Sequence, residues 1–223
     1  MTVRTRIKIC CIADEAESAV AVKSGADAIG LVSAMPSGPG PIDEGVIHRV
    51  ARRVPPGVSS FLLTSLTDAD GLIAQYRRCR TTAIQLCDWV PAGVYEMLRE
   101  ELPGIGLVQV IHVRDHDSVA EANAAAEHVD AILLDSGNAS LPIKELGGTG
   151  RVHDWSVSRR IVESVAVPVY LAGGLNSDNV GEAIARVRPF GIDVCSSVRT
   201  DGRLDGEKLA AFVAAVQAAG RTA

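Results

Sequence analysis

No apolar run in this 223-residue chain reaches the roughly 18 residues needed to cross a bilayer, so no transmembrane helix and no membrane partner are expected. The opening stretch, 1–18, turns acidic too early for a secretory signal, and a cytoplasmic location is expected. Cations are few and scattered: 22 Lys and Arg stand against 27 Asp and Glu, a formal net charge of −5. That balance offers no basic surface to a nucleic-acid backbone, so nucleic acid is not an expected partner. Cysteine is sparse as well. Five residues, an odd number, read as thiols rather than as a disulfide framework, and a bridge between the vicinal Cys10 and Cys11 would be strained. Cys10, Cys87 and Cys195 could all approach one place, but there is no CxxC spacing and no obvious histidine partner, so no metal is expected. Low-complexity stretches and visible linkers are absent. With 47% hydrophobic residues the chain can bury a sizeable core, and a single domain over 1–223 is the expectation.

What is present is an alternation. Apolar runs at 6–12 (RIKICCI), 27–33 (DAIGLVS), 58–65 (VSSFLLTS), 83–88 (AIQLCD) and 107–113 (LVQVIHV) read as strands. Further strands follow at 131–136 (AILLDS), 167–173 (VPVYLAG) and 191–197 (GIDVCSS), and a helix-like segment trails each of the eight. Because right-handed crossovers make successive strands parallel, eight such units close most economically as a (β/α)8 barrel. A doubly wound open sheet is the alternative. It would need fewer strands and a glycine fingerprint after the first, where this chain has CCIADEA.

In such a barrel the chemistry gathers where strands end. The polar residues there are Cys10, Cys11, Asp14, Ser33, Thr64, Ser65, Gln85, Cys87 and Asp88 in the first half. His112, Arg114, Asp135, Ser136, Ser196 and Ser197 follow in the second. Gly173 and Gly174 let the backbone approach an anion closely, and Ser196 and Ser197 open a stretch that can point amides at a phosphate. Along a strand side chains alternate, so Cys11 is expected to face away from Cys10, towards the helices, as packing. Asp135 ends an apolar strand, where an acid is costly unless used or paired; the bland alternative is a helix cap.

In order and spacing, KICCIADEAESAVAVKSGADAIGLV, IQLCD, ILLDS, GGTG with HDW, LAGGLNSDNV and IDVCSSV resemble the pattern of the phosphoribosylanthranilate isomerase family across nearly the whole chain. The resemblance implies an Amadori rearrangement in tryptophan biosynthesis, from N-(5-phosphoribosyl)anthranilate to 1-(2-carboxyphenylamino)-1-deoxyribulose 5-phosphate, an aldose-ketose isomerisation with no cofactor. It makes Cys10 the base and Asp135 the acid. It also implies substrate contacts at Gln85, Cys87, Asp88, Gly148 and Thr149, and a phosphate cup at Gly173, Gly174, Ser196 and Ser197. The partner would be a phosphorylated small molecule, and the assembly a monomer or homodimer. The stretch 147–150 reads as a closing loop or a plain connector.

The chain departs from that pattern in places. Cys11 stands where the family usually has glycine, Ser197 replaces a glycine and Arg199 a glutamate. Cys87 and Asp88 stand for the histidine and glycine of QLHG, and SAMPSGPGPID after the second strand lacks the arginine that meets the aromatic carboxylate. An acid at Asp88 would repel a carboxylate unless it points outward. Two other readings therefore stand beside the first. One is a divergent paralogue acting on a different ribosyl or sugar phosphate; the other is a non-catalytic barrel that binds a phosphorylated ligand.

Overall fold

The computed structural model describes residues 4–138, 140–147 and 150–220, and these form a closed eight-stranded parallel barrel. The strands are β1 (Arg6–Ile9), β2 (Ala28–Val32), β3 (Ser59–Thr64), β4 (Ala83–Leu86), β5 (Gly106–His112), β6 (Ala131–Asp135), β7 (Val169–Leu171) and β8 (Gly191–Val194). Between them run α1 (Glu15–Lys23), α2 (Glu44–Ala51), α3 (Ala69–Cys79), α4 (Ala92–Glu101), α5 (Asp117–Ala126), α6 (Trp155–Ser164) and α7 (Val180–Val187), with α8 (Gly206–Ala219) last. The expected alternation holds. The sequence pattern did not contain a two-stranded hairpin, β9 (Arg199–Thr200) with β10 (Arg203–Leu204), because strands that short carry no periodicity.

Closure comes from β1 pairing β8, with Lys8 level with Asp193 and Ile9 with Val194. Strand parity then sorts the two cores. Ile7, Ile9, Ile29, Leu31, Ile84 and Ile132 face outward under the helices. Phe61, Leu63, Val108, Val110, Leu133 and Tyr170 face inward and fill the barrel. Asp side chains cap the N-termini of α1, α2, α3, α6 and α8, each accepting a backbone N–H of the first turn. Among the described residues no helix is long and apolar enough to cross a membrane.

Candidate active site

The C-terminal strand ends surround one cleft, open at its mouth, where a barrel of this kind places its chemistry. Cys10, Gln85, Cys87, Asp135, Gly173, Gly174 and Ser196 all line it, as the sequence pattern leads one to expect. Parity turns Cys10 inward with Lys8, and its sulfur rests against β2: a Cβ added at Gly30 would stand 2.9 Å from Cys10 Sγ. Asp135 closes β6. Its Oδ1 accepts the Ser136 amide at 2.7 Å, and its Oδ2 abuts Gly147, where a Cβ would lie only 2.6 Å away. It is not the cap of the following helix, since that role falls to Asp154.

Beneath Cys10 lies a buried ion pair that the sequence pattern did not single out. Lys8 Nζ donates to Asp193 Oδ2 at 2.9 Å, and both side chains are almost fully buried. Asp193 also lines the cleft, and its buried Oδ1 has no hydrogen-bond partner among the described residues. Burial alone would pull the lysine down, yet Asp193, and behind it the Cys10 and Cys11 sulfurs, hold its ammonium above the ordinary range. Burial pushes Asp193 up, against the opposing pull of Lys8, with the nearby Asp135 adding to the rise. The signal was available: a lysine in RIKICCI and an acid in GIDV are opposite charges inside apolar strands, and barrel closure sets them side by side.

Cys11 corrects an expectation. It lines the cleft beside Cys10 instead of packing under the helices. The alternation argument fails because β1 ends at Ile9 and Cys11 has φ 60, a left-handed conformation that costs a non-glycine residue about 1 to 3 kcal/mol. Its side chain leans on the loop after β2: a Cβ at Gly40, itself at φ +85, would sit 2.6 Å from Cys11 Cβ. Its carbonyl accepts from Arg199 Nη2, which also reaches the Cys10 carbonyl at 3.3 Å and Glu17 Oε2 at 3.0 Å. Cys11, Gly40 and Arg199 thus form one contact network at the end of β1.

Other expectations divide. Asp88 turns away from the cleft and pairs with Lys144, so it does not oppose a carboxylate there. Ser197 does not line the cleft either, since its hydroxyl donates to Leu175 O at 2.6 Å; Ser196, at the start of a 3-10 turn (Ser196–Val198), does. Gly173 and Gly174 have φ 84 and 63, and the preceding loop packs onto them so closely that a Cβ at Gly174 would meet the Arg151 carbonyl carbon at 2.8 Å. Cys87 is held as a thiol, pushed up to about 12 chiefly by burial. Gly148 and Thr149 lie outside the described residues. Asp14 caps α1, while Ser33 and Ser65 donate to backbone carbonyls and Thr64 accepts a backbone amide, so these strand-end residues serve the frame. Among the described residues that line the cleft there is no lysine, arginine or histidine; the wall after β2 is Met35, Ser37, Gly38 and Pro39.

Residues 7–215 match the family model described as N-(5'phosphoribosyl)anthranilate (PRA) isomerase. The chain belongs to the phosphoribosylanthranilate isomerase family. An isomerase of this name from Methanocella arvoryzae is 36% identical over 199 residues, 89% of this chain and 91% of its own. One from Haloferax volcanii is 36% identical over 217 residues, 96% and 94% of the two chains. Among solved structures, phosphoribosylanthranilate isomerase from Thermotoga maritima superposes with a TM-score of 0.81 at 27% identity, covering 96% of this chain and 99% of that one. Another of the family, solved in complex with reduced 1-(o-carboxyphenylamino)-1-deoxyribulose 5-phosphate, gives a TM-score of 0.78 at 26% identity, with 96% and 99% covered.

Proposed function

We propose that the chain is a phosphoribosylanthranilate isomerase of tryptophan biosynthesis and that its acid and base are Asp135 and Cys10. The observation that carries this reading is the convergence of those two side chains on one cleft whose far end is lined by Gly173, Gly174 and Ser196. Asp135 protonates the ring oxygen of the N-linked ribosyl phosphate while the nitrogen lone pair opens the C1–O bond to an iminium. Cys10 then removes the C2 proton, and the electron pair moves to give the enolamine. Tautomerisation returns a proton to C1 and leaves the ketone at C2, so no atom or electron is gained or lost overall. The phosphate tail rests on the peptide nitrogens of the glycine pair and of the turn at Ser196. The enzyme takes a phosphorylated small molecule and works as a monomer or, like the dimeric isomerase of Thermotoga maritima, as a homodimer.

A second reading follows from one observation. With no cation lining the cleft among the described residues, an aglycone carboxylate has no charged partner there, which supports a paralogue acting on a ribosyl phosphate with a neutral aglycone. Steady-state turnover of N-(5-phosphoribosyl)anthranilate, set beside its aniline counterpart, separates the two. The first reading expects the carboxylated substrate to have the higher kcat/KM. A preference of tenfold or more for the uncharged one replaces it with the second.

A further inference from the structure

Cys10 is not the only sulfur in the cleft. Cys11 and Cys195 line it too, and their Sγ atoms stand 2.7 Å apart although the residues are 184 positions apart in sequence. They sit at the ends of β1 and β8, the pair of strands that closes the barrel. The contact rests on several unusual choices. Cys11 occupies a left-handed backbone position where a side chain is disfavoured, and Gly40, by lacking a Cβ, leaves the room that the Cys11 side chain fills. Arg199, anchored on Glu17, clamps the Cys11 carbonyl from the other side and so holds the sulfur in place. A residue retained in a strained conformation, with two neighbours shaped to it, points to use rather than to filler.

The two sulfurs also differ in charge preference. The Cys10 and Cys195 thiols beside it, together with burial, push the Cys11 thiol up. The hydrogen bond shared with Cys11 draws Cys195 down, and the Arg199 guanidinium helps it against burial. The shifts run in opposite directions, and Cys195 is the partner moved towards the thiolate, the form that attacks disulfides.

We propose that Cys11 and Cys195 are a modification site for low-molecular-weight disulfides, forming a reversible disulfide that fastens β1 to β8 and shuts the active cleft. The Cys195 thiolate attacks one sulfur of the external disulfide, whose S–S bond breaks and releases the first thiol. Cys11 gives up its proton and attacks the Cys195 sulfur of the mixed disulfide, and the second external thiol leaves. Two protein thiols are oxidised and one disulfide is reduced to two thiols. To form the bond the sulfurs need close only from 2.7 Å to about 2.05 Å. Closure takes the Cys11 sulfur out of its hydrogen bond to the Pro39 carbonyl, in the loop that walls the cleft after β2, and pulls on Ser196, the next residue after Cys195, so that both the loop wall and the phosphate end are disturbed.

The loss of turnover rests on the functional reading above; the bond itself does not. The full chain is equilibrated in glutathione buffers from fully reduced to fully oxidised, quenched in acid, alkylated, digested and mapped by mass spectrometry. The expected result is a peptide link with fragment ions placing it between Cys11 and Cys195, with Cys10, Cys79 and Cys87 alkylated, and reversal by dithiothreitol. The link should vanish in Cys195→Ser and in Cys11→Gly, the latter being the variant best suited to the left-handed backbone. A link through Cys10 or Cys87, or alkylation of Cys11 throughout the series, overturns the proposal. Turnover of N-(5-phosphoribosyl)anthranilate should fall at least tenfold in step with the linked fraction, and a fully linked enzyme with undiminished turnover overturns the gating. A reduced enzyme with no turnover counts against the functional reading alone, and the mapping still decides the bond.

Discussion

The two sides of the cleft have been treated differently. On the β6, β7 and β8 side, Asp135, the Gly173 and Gly174 pair and Ser196, the residues the family pattern points to, line the cleft. On the β1 and β2 side the chain departs from that pattern: Cys11 stands where the family usually has glycine, no arginine follows β2, and Gly40 leaves the room that the Cys11 side chain fills. The two positions are not independent. A Cβ at Gly40 and the Cys11 side chain exclude each other, so the end of β1 and the loop after β2 pack as one wall. Catalytic geometry and pocket shape can therefore diverge separately within a barrel, because they are carried by the ends of different strands.

The largest effect on stability should come from breaking the floor that both sides share. Lys8→Met leaves Asp193 buried without its cation, and the urea midpoint should report a loss of about 3 to 5 kcal/mol. A loss under about 1 kcal/mol would mean that Asp193 is relieved by protonation or water, and that the two walls do not depend on the pair.

Repacking of the altered wall is tested by a double-mutant cycle. Gly40→Ala places a methyl group against Cys11 in a backbone that also resists it, for an expected cost of about 1 to 3 kcal/mol. In a Cys11→Gly background the collision disappears and only the backbone strain remains, so the cost should shrink, with a coupling of at least about 0.5 kcal/mol. Strict additivity would show that Gly40 and Cys11 do not share one packing site.

A smaller effect concerns the clamp. Burial raises Glu17, but the Arg199 hydrogen bond and the Ala13 and Leu204 amides outweigh it and hold the carboxyl below its usual range. A carboxylate depressed on folding stabilises the fold fully above its unfolded value, about 4.3, and loses that contribution as pH falls through the lower folded value. The wild-type urea midpoint should therefore drop below roughly pH 4.3, and Glu17→Gln, already weaker near neutrality, should drop less over the same window. Parallel curves for the two proteins would remove Glu17 from the clamp.

Much of the frame could be read from the chain itself. Eight apolar runs, each followed by a helical segment, suffice for a closed parallel barrel, and parity alone turns Cys10, Gln85 and Asp135 inward. Cys11 was misjudged because alternation applies only while the strand lasts, and β1 ends at Ile9 with a left-handed residue soon after. The side chains of Asp88 and Ser197 stand off the cleft for another reason. Their partners, Lys144 and the Leu175 carbonyl, come from distant loops that no local pattern reveals. Lys8 and Asp193 were legible and overlooked: each is a charge inside an otherwise apolar strand, and the closing pairing makes them neighbours.

The central claim is that one cleft brings a thiol and a carboxyl to the same ribosyl carbons. It is tested most directly by the kcat for N-(5-phosphoribosyl)anthranilate in the wild type, Cys10→Ser and Asp135→Asn, with circular dichroism to confirm folding. Wild-type turnover should be measurable, and each variant should fall about hundredfold or more. Folded variants that turn the substrate over at the wild-type rate would contradict it.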